Sequence, residues 1–92
     1  MNVQQKDDGK KGSFYIEEAG AVAAEMTYVW AGTDRIIIDH TEVSEVLKGK
    51  SAGKQMLLKA LAFAREKKIK IVPLCQFARS VFDKVAEIRD VL

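Results

Sequence analysis

The chain is short of the residues that mark secreted, metal-binding and membrane proteins. Its 92 residues include one cysteine, Cys75, one histidine, His40, and one proline, Pro73. A lone cysteine cannot close an internal disulfide, and no Cys/His cluster has the spacing of a zinc site, so no metal is expected. One proline and six glycines leave little room for a low-complexity linker. No apolar run approaches the roughly 18 residues of a membrane span. The polar stretch 1–11 lacks the apolar centre of a signal peptide. These absences predict a cytoplasmic protein without membrane contact. The net charge of +2 is too small for a phosphate-backbone binder, which needs a clustered basic face, so no nucleic-acid partner is expected.

What remains has the balance of a globular protein, with 48% hydrophobic and 30% charged residues. Residues 1–12 show no apolar period and are expected to form a flexible N-terminal tail, leaving 13–92 as a single domain. Phe14 and Ile16 share one face of a short strand over 13–18. Val22, Ala24, Met26, Tyr28 and Trp30 then alternate with Ala23, Glu25 and Thr27, the period of a half-buried strand. Tyr28 and Trp30 are read as packing residues. Ile36, Ile37 and Ile38 in succession suggest a strand covered on both faces. These segments predict a three-stranded antiparallel meander.

The period then changes. Leu57, Ala60, Leu61 and Ala64 recur at helical spacing, with Ser51 placed to cap the helix through its hydroxyl. Ile69, Ile71 and Val72 make a short strand ending at Pro73. Phe77, Val81, Val85, Ile88 and Leu92 trace a final amphipathic helix. The predicted fold class is α+β with an α/β-like second half. An antiparallel meander is followed by a βαβ unit with parallel strands and a C-terminal helix. About 25 residues separate the two strands of that unit, enough for a crossover that makes them parallel. Parallel strands bring their C-terminal ends, and the start of the connecting helix, to one edge, where ligands of such sheets bind. Residues 40–43, 48–54 and 74–76 should converge there.

The loop Lys48-Gly49-Lys50-Ser51-Ala52-Gly53-Lys54 enters the helix with glycines that permit backbone approach and lysines that favour an anion. The same features also describe a solvated lysine loop. It is not a nucleotide-hydrolase P-loop, because Ser44 stands where the first glycine is required. Cys75 reads either as an inert apolar residue or as a thiol at the ligand edge, near a helix start. His40 matches the strand parity of Ile36 and Ile38, so it should face the core and, at its strand's end, look into the cleft. Imidazole is the side chain best suited to accept a proton near neutrality. Glu42 falls on the same side as His40.

Three segments together resemble a known family: His40-Thr41-Glu42-Val43, the loop 48–54, and Val72-Pro73-Leu74-Cys75. They resemble the compact, YjdJ-type branch of the GNAT acetyltransferases, and the likeness runs from about Phe14 to Lys84. It implies a minimal GNAT core that binds acetyl-CoA. The family's Arg/Gln-x-x-Gly-x-Gly/Ala loop maps onto Lys48, Ser51 and Gly53, so Lys48 replaces Arg/Gln and Ser51 replaces glycine. By the resemblance, Lys48 to Lys54 (Lys48, Gly49, Lys50, Ser51, Ala52, Gly53 and Lys54) cradle the cofactor, and Thr41, Glu42 and Val43 pair with its arm. His40 and Cys75 form the catalytic pair across the cleft. The last segment carries Val81 where tyrosine is usual in this branch, and it should continue as an unbroken helix. The implied activity is acetyl transfer from a small-molecule acyl donor to an unidentified amine or protein acceptor, by a monomer or weak dimer. The alternative is a coenzyme A-binding adaptor or sensor with little catalysis.

Overall fold

Strand alternation in the first half of the chain builds most of the sheet. The computed structural model describes residues 2–92. Five strands lie in sequence order across one sheet: β1 (Val3–Asp7), β2 (Lys11–Glu18), β3 (Ala21–Trp30), β4 (Arg35–Val43) and β5 (Lys70–Pro73). The first four pair antiparallel and β5 joins β4 in parallel. Helix α1 (Ala52–Lys67) connects β4 to β5, and α2 (Gln76–Lys84) follows β5. The meander and βαβ unit expected from the sequence are therefore present, with one strand more.

That extra strand occupies part of the segment expected to be a flexible tail. Residues 3–7 pair with 12–16 along β2, in spite of their polar composition. An edge strand needs pairing more than apolar side chains, and this one is anchored by Asp7. The Asp7 carboxylate accepts bonds from the Tyr28 hydroxyl at 2.5 Å, the Trp30 indole at 2.9 Å and the Gly9 amide at 2.7 Å. Gly12 makes room for this network, since a Cβ there would lie 2.6 Å from the Tyr28 hydroxyl and against the Lys6 carbonyl. Met1 of the expected tail lies outside the described residues.

The core lies on one face of the sheet. Phe14, Ile16, Met26, Tyr28, Ile36 and Ile38 meet Met56, Leu57, Ala60, Leu61 and Ala64 of α1. Ala78 and Phe82 of α2, with Ile88 and Val91 beyond it, join the same cluster. Full burial of each large side chain contributes roughly 1.5–3 kcal/mol, so this layer carries most of the stability. Ile37 and Val72 on the opposite face remain partly exposed, so β4 is covered on one face only, contrary to the sequence reading.

Two bulges reset the strand parity. Ile16 pairs with Ala24 but Glu17 with Val22, leaving Ala23 as the extra residue and turning Val22 outward to 52% exposure. Tyr28 pairs with Ile38 but Thr27 with His40, so Asp39 is the extra residue on β4. An inserted residue flips everything after it to the other face.

The last helix also departs from expectation. It stops at Lys84, Val85 takes an extended conformation, and Ala86–Val91 form a 3-10 turn. Arg89 folds back to donate to the Phe82 carbonyl at 2.7 Å and the Asp83 carbonyl at 2.6 Å, satisfying groups that a continuing helix would have used. Arg65 pairs with Asp90 at 2.8 Å and closes the C-terminal segment onto α1. No helix among the described residues is long and apolar enough to cross a membrane.

Candidate functional site

The parallel strands run together only as far as Ile38, which pairs with Pro73. There the Ile38 carbonyl accepts from the amides of Leu74 at 2.9 Å and Cys75 at 3.0 Å, and the chain turns away into α2. Beyond this fork β4 continues to Val43 with β3 on one side and no strand on the other. The Ser44 amide donates to the Ala23 carbonyl of β3 at 2.8 Å. Antiparallel hydrogen bonding alternates along a strand, so Glu42 turns its backbone groups toward β3. Thr41 and Val43 turn theirs toward the open side.

The start of α1 stands at the same rim. Ser51 adopts a left-handed conformation, φ 59° and ψ 33°, and its hydroxyl makes no capping bond, contrary to the sequence reading. The first helical hydrogen bond runs from the Gln55 amide to the Ser51 carbonyl at 2.9 Å. The amides of Ala52, Gly53 and Lys54 precede it and have no partner inside the helix. No acidic residue occupies the first turn. Lys48 pairs with Glu45 at 2.7 Å, whereas Lys50 and Lys54 have no ion pair among the described residues. Gly49, at φ +80°, supplies the turn into the loop. Gly53 serves a packing role as well, because a Cβ there would lie 2.8 Å from the Phe77 ring at the start of α2. The two helix starts are thereby held side by side.

Cys75 is the N-cap of α2, its sulfur accepting from the Ala78 amide at 3.4 Å. The same sulfur lies 3.3 Å from the Thr41 hydroxyl. His40 is elsewhere. The Asp39 bulge places it beside Thr27 on the face opposite Ile36 and Ile38, largely exposed, with Nε2 3.1 Å from Glu42 Oε1. Its expected core-facing orientation is therefore corrected, while Glu42 does share its face. Cys75 and His40 flank the fork from opposite faces of β4, and Thr41 is the residue that meets the thiol.

The family model described as GCN5-related N-acetyl-transferase matches residues 13–91. The chain belongs to this family. Among solved structures it is similar to a GCN5-like protein from Staphylococcus aureus, solved in solution by NMR, at 36% identity. That match covers 98% of this chain and 87% of the other, with a TM-score of 0.71. It also shares its fold with the ribosomal-protein-alanine N-acetyltransferase of Brucella melitensis at 16% identity and TM-score 0.68, covering 84% of this chain and 63% of that one. A further structure, from Clostridium acetobutylicum and solved with acetyl-CoA, matches at 18% identity and TM-score 0.64. It covers 80% of this chain and 55% of the other. No curated protein matches the sequence.

Within the family frame, the residues expected at the site are brought to one rim, with the exception that His40 and Cys75 do not face one another. Sequence reasoning missed Asp39, whose bulge decides that outcome, and Asp7, which ties β1 to the sheet. Asp7 could have been suspected, because an acid two residues before a glycine favours an Asx turn. Nothing in the local pattern at Asp39 marks a bulge.

Burial would raise the Asp7 carboxyl's affinity for protons. The bonds it accepts from Tyr28, Gly9 and Trp30 outweigh that, holding it below the usual carboxylate range. Burial, reinforced by the Asp7 acceptor, pushes the Tyr28 phenol well up, so it stays a proton donor at any physiological pH. By register this network lies level with the fork, Tyr28 pairing with Ile38, but toward the β1 edge of the sheet.

Proposed function

We propose that the chain is an acetyl-CoA-dependent N-acyltransferase that passes an acetyl group to an amine. The observation that carries this reading is the fork after Ile38, with backbone groups of Thr41 and Val43 turned to its open side and the α1 start beside it. Coenzyme A would bring phosphates suited to the free amides of Ala52, Gly53 and Lys54 and to the charges of Lys50 and Lys54. Its amide-bearing arm is the length of an extended strand segment and suits the unpaired edge of β4. When bound, it supplies an acetyl thioester.

The chain's own groups then have separate tasks. A backbone amide of Thr41 or Val43 holds the carbonyl oxygen as negative charge develops on it. His40, on the open face, takes a proton from the incoming ammonium directly or through one water, with Glu42 stabilising the imidazolium so formed. The carbon–nitrogen bond forms as the carbon–sulfur bond breaks. The second proton lost by the nitrogen ends on the departing sulfur, and Cys75, hydrogen-bonded to Thr41, is placed to relay it. Having the base on one face and the thiol on the other lets amine and leaving group use opposite sides of β4. A free thiol suits the reducing cytoplasm, where we place the protein.

A coenzyme A sensor is the second reading, favoured by one observation. The Cys75 sulfur already caps α2, a structural duty that needs no catalysis. Acetyl transfer to a panel of amines, followed by mass spectrometry, separates the two. The enzyme reading expects loss of transfer in His40→Ala, at least ~100-fold for a general base, with coenzyme A affinity retained. No transfer to any amine by the parent chain, with coenzyme A bound, would favour the sensor.

A further inference from the structure

The face of the sheet opposite the helices carries a cavity that the donor site does not use. Register sets Lys6, Ser13, Thr27 and His40 in one row across four strands. Over this row opens a cavity of about 400 Å³, with Lys6, Ser13, Glu25, Thr27 and Asp39 in its wall. Ser13 is 1% exposed, and its hydroxyl has no hydrogen-bond partner. Buried polar side chains without a partner are rare in folded proteins and call for an explanation.

The neighbouring groups indicate what would supply one. Asp39 Oδ1 accepts from the Thr27 hydroxyl at 2.6 Å, and nothing among the described residues donates to its other oxygen. Glu25 has only Lys6, at 3.6 Å. Asp7 is spent on Tyr28, Trp30 and Gly9, and one oxygen of Asp8 on the Lys10 and Lys11 amides. The cavity therefore offers the carboxylates of Glu25 and Asp39 and a hydroxyl, all able to accept, and with Asp7 and Asp8 its four acids outnumber its two lysines, Lys6 and Lys11. An ammonium, with three donors and a positive charge, matches that set.

We infer that the acceptor carries two amino groups, one bound in this cavity and the other presented beside His40 at the fork. The inference rests on the acyltransferase reading above. The bulge that displaces His40 from the core face is what puts it in the same row as the cavity. From the middle of the cavity at β3, past β4, to the open side of the fork is one and a half to two interstrand spacings, roughly 7–10 Å. An extended chain of about five to seven carbons between the two nitrogens spans that distance. The distal ammonium stays charged and serves only as an anchor, while the near one loses its protons as described for acetyl transfer.

The test is a titration of the isotope-labelled full chain with linear α,ω-diaminoalkanes of three to eight carbons, with hexylamine as the single-amine control. Amide shifts report where each binds. The expected result is saturable movement of Ser13, Thr27 and Asp39, tightest near the length given, with hexylamine about tenfold weaker. Asp39→Asn and Ser13→Ala should each weaken the diamine several-fold while leaving the spectrum otherwise intact. Equal binding of hexylamine, shifts confined to other residues, or variants that bind as the parent does would overturn the inference. Acetyl-CoA added to the same sample reports on residues 48–54 separately. Donor shifts without diamine shifts sink this inference alone, whereas absent donor shifts sink the acyltransferase reading beneath it.

Discussion

The two edges of the sheet are built on opposite plans. Toward the β1 edge, Asp7 gathers Tyr28, Trp30 and Gly9 onto a single carboxylate, and Gly12 lets the strands close around it. At the other, β4 and β5 separate after Ile38. There Leu74 stands 56% exposed, and the first amides of α1 have no partner within the helix. The Asp7 network spends its polar groups on itself. The fork, like the cavity over Ser13, leaves them free, and in a chain this small the contrast teaches where a ligand can be received without loss of the fold.

If that division holds, damage to the closed half and its core should cost stability, and damage to the rim should cost binding. The largest effect is expected from Phe14→Ala, which empties a fully buried site against Tyr28 and Phe63. A loss of about 3–5 kcal/mol by chemical denaturation is the expected size for such a truncation. Next comes Asp7→Ala, which strips the Tyr28 hydroxyl and the Trp30 indole of their common acceptor, for about 1–2 kcal/mol.

The pH dependence of Asp7 has a definite sign. A carboxyl held below its usual range by hydrogen bonds contributes stability that is present above the unfolded value, about 4. That contribution is lost as pH falls through the lower folded value. Acid unfolding curves of Asp7→Asn should therefore be flatter below about pH 4 than those of the parent. Identical slopes would show that Asp7 does not hold its proton affinity down through these bonds.

The smallest effect is reserved for the rim. Lys50→Glu should leave the melting temperature nearly unchanged and weaken acetyl-CoA about two- to fivefold, a helix-start charge being worth ~0.3–1 kcal/mol. The loss should shrink at high salt.

These contrasts also show why some of the molecule could be read in advance. Phe14, Ile16 and the α1 stripe from Met56 to Ala64 follow simple periods, and each lies where its period puts it. The turn into α1 was legible because Gly49 and the lysines around it interrupt the apolar periods on either side. Strand β1 was not, since Gln4, Gln5 and Lys6 carry no apolar pattern and their strand is made by pairing and by Asp7. The orientation of His40 was hidden for a different reason. Counting parity assumes an unbroken ladder, and one extra residue at Asp39 reverses it without any change in composition. The stop in α2 was masked in the same way, because Val85 and Ile88 keep helical spacing through a 3-10 turn.

The most direct test follows the alternation along β4 as acetyl-CoA is added. Backbone amide exchange should slow at Thr41 and Val43, whose groups face the fork, while Glu42, already bonded toward β3, changes little. Uniform protection of 41–43, or protection confined to the α1 start, would mean that the arm does not lie along this strand.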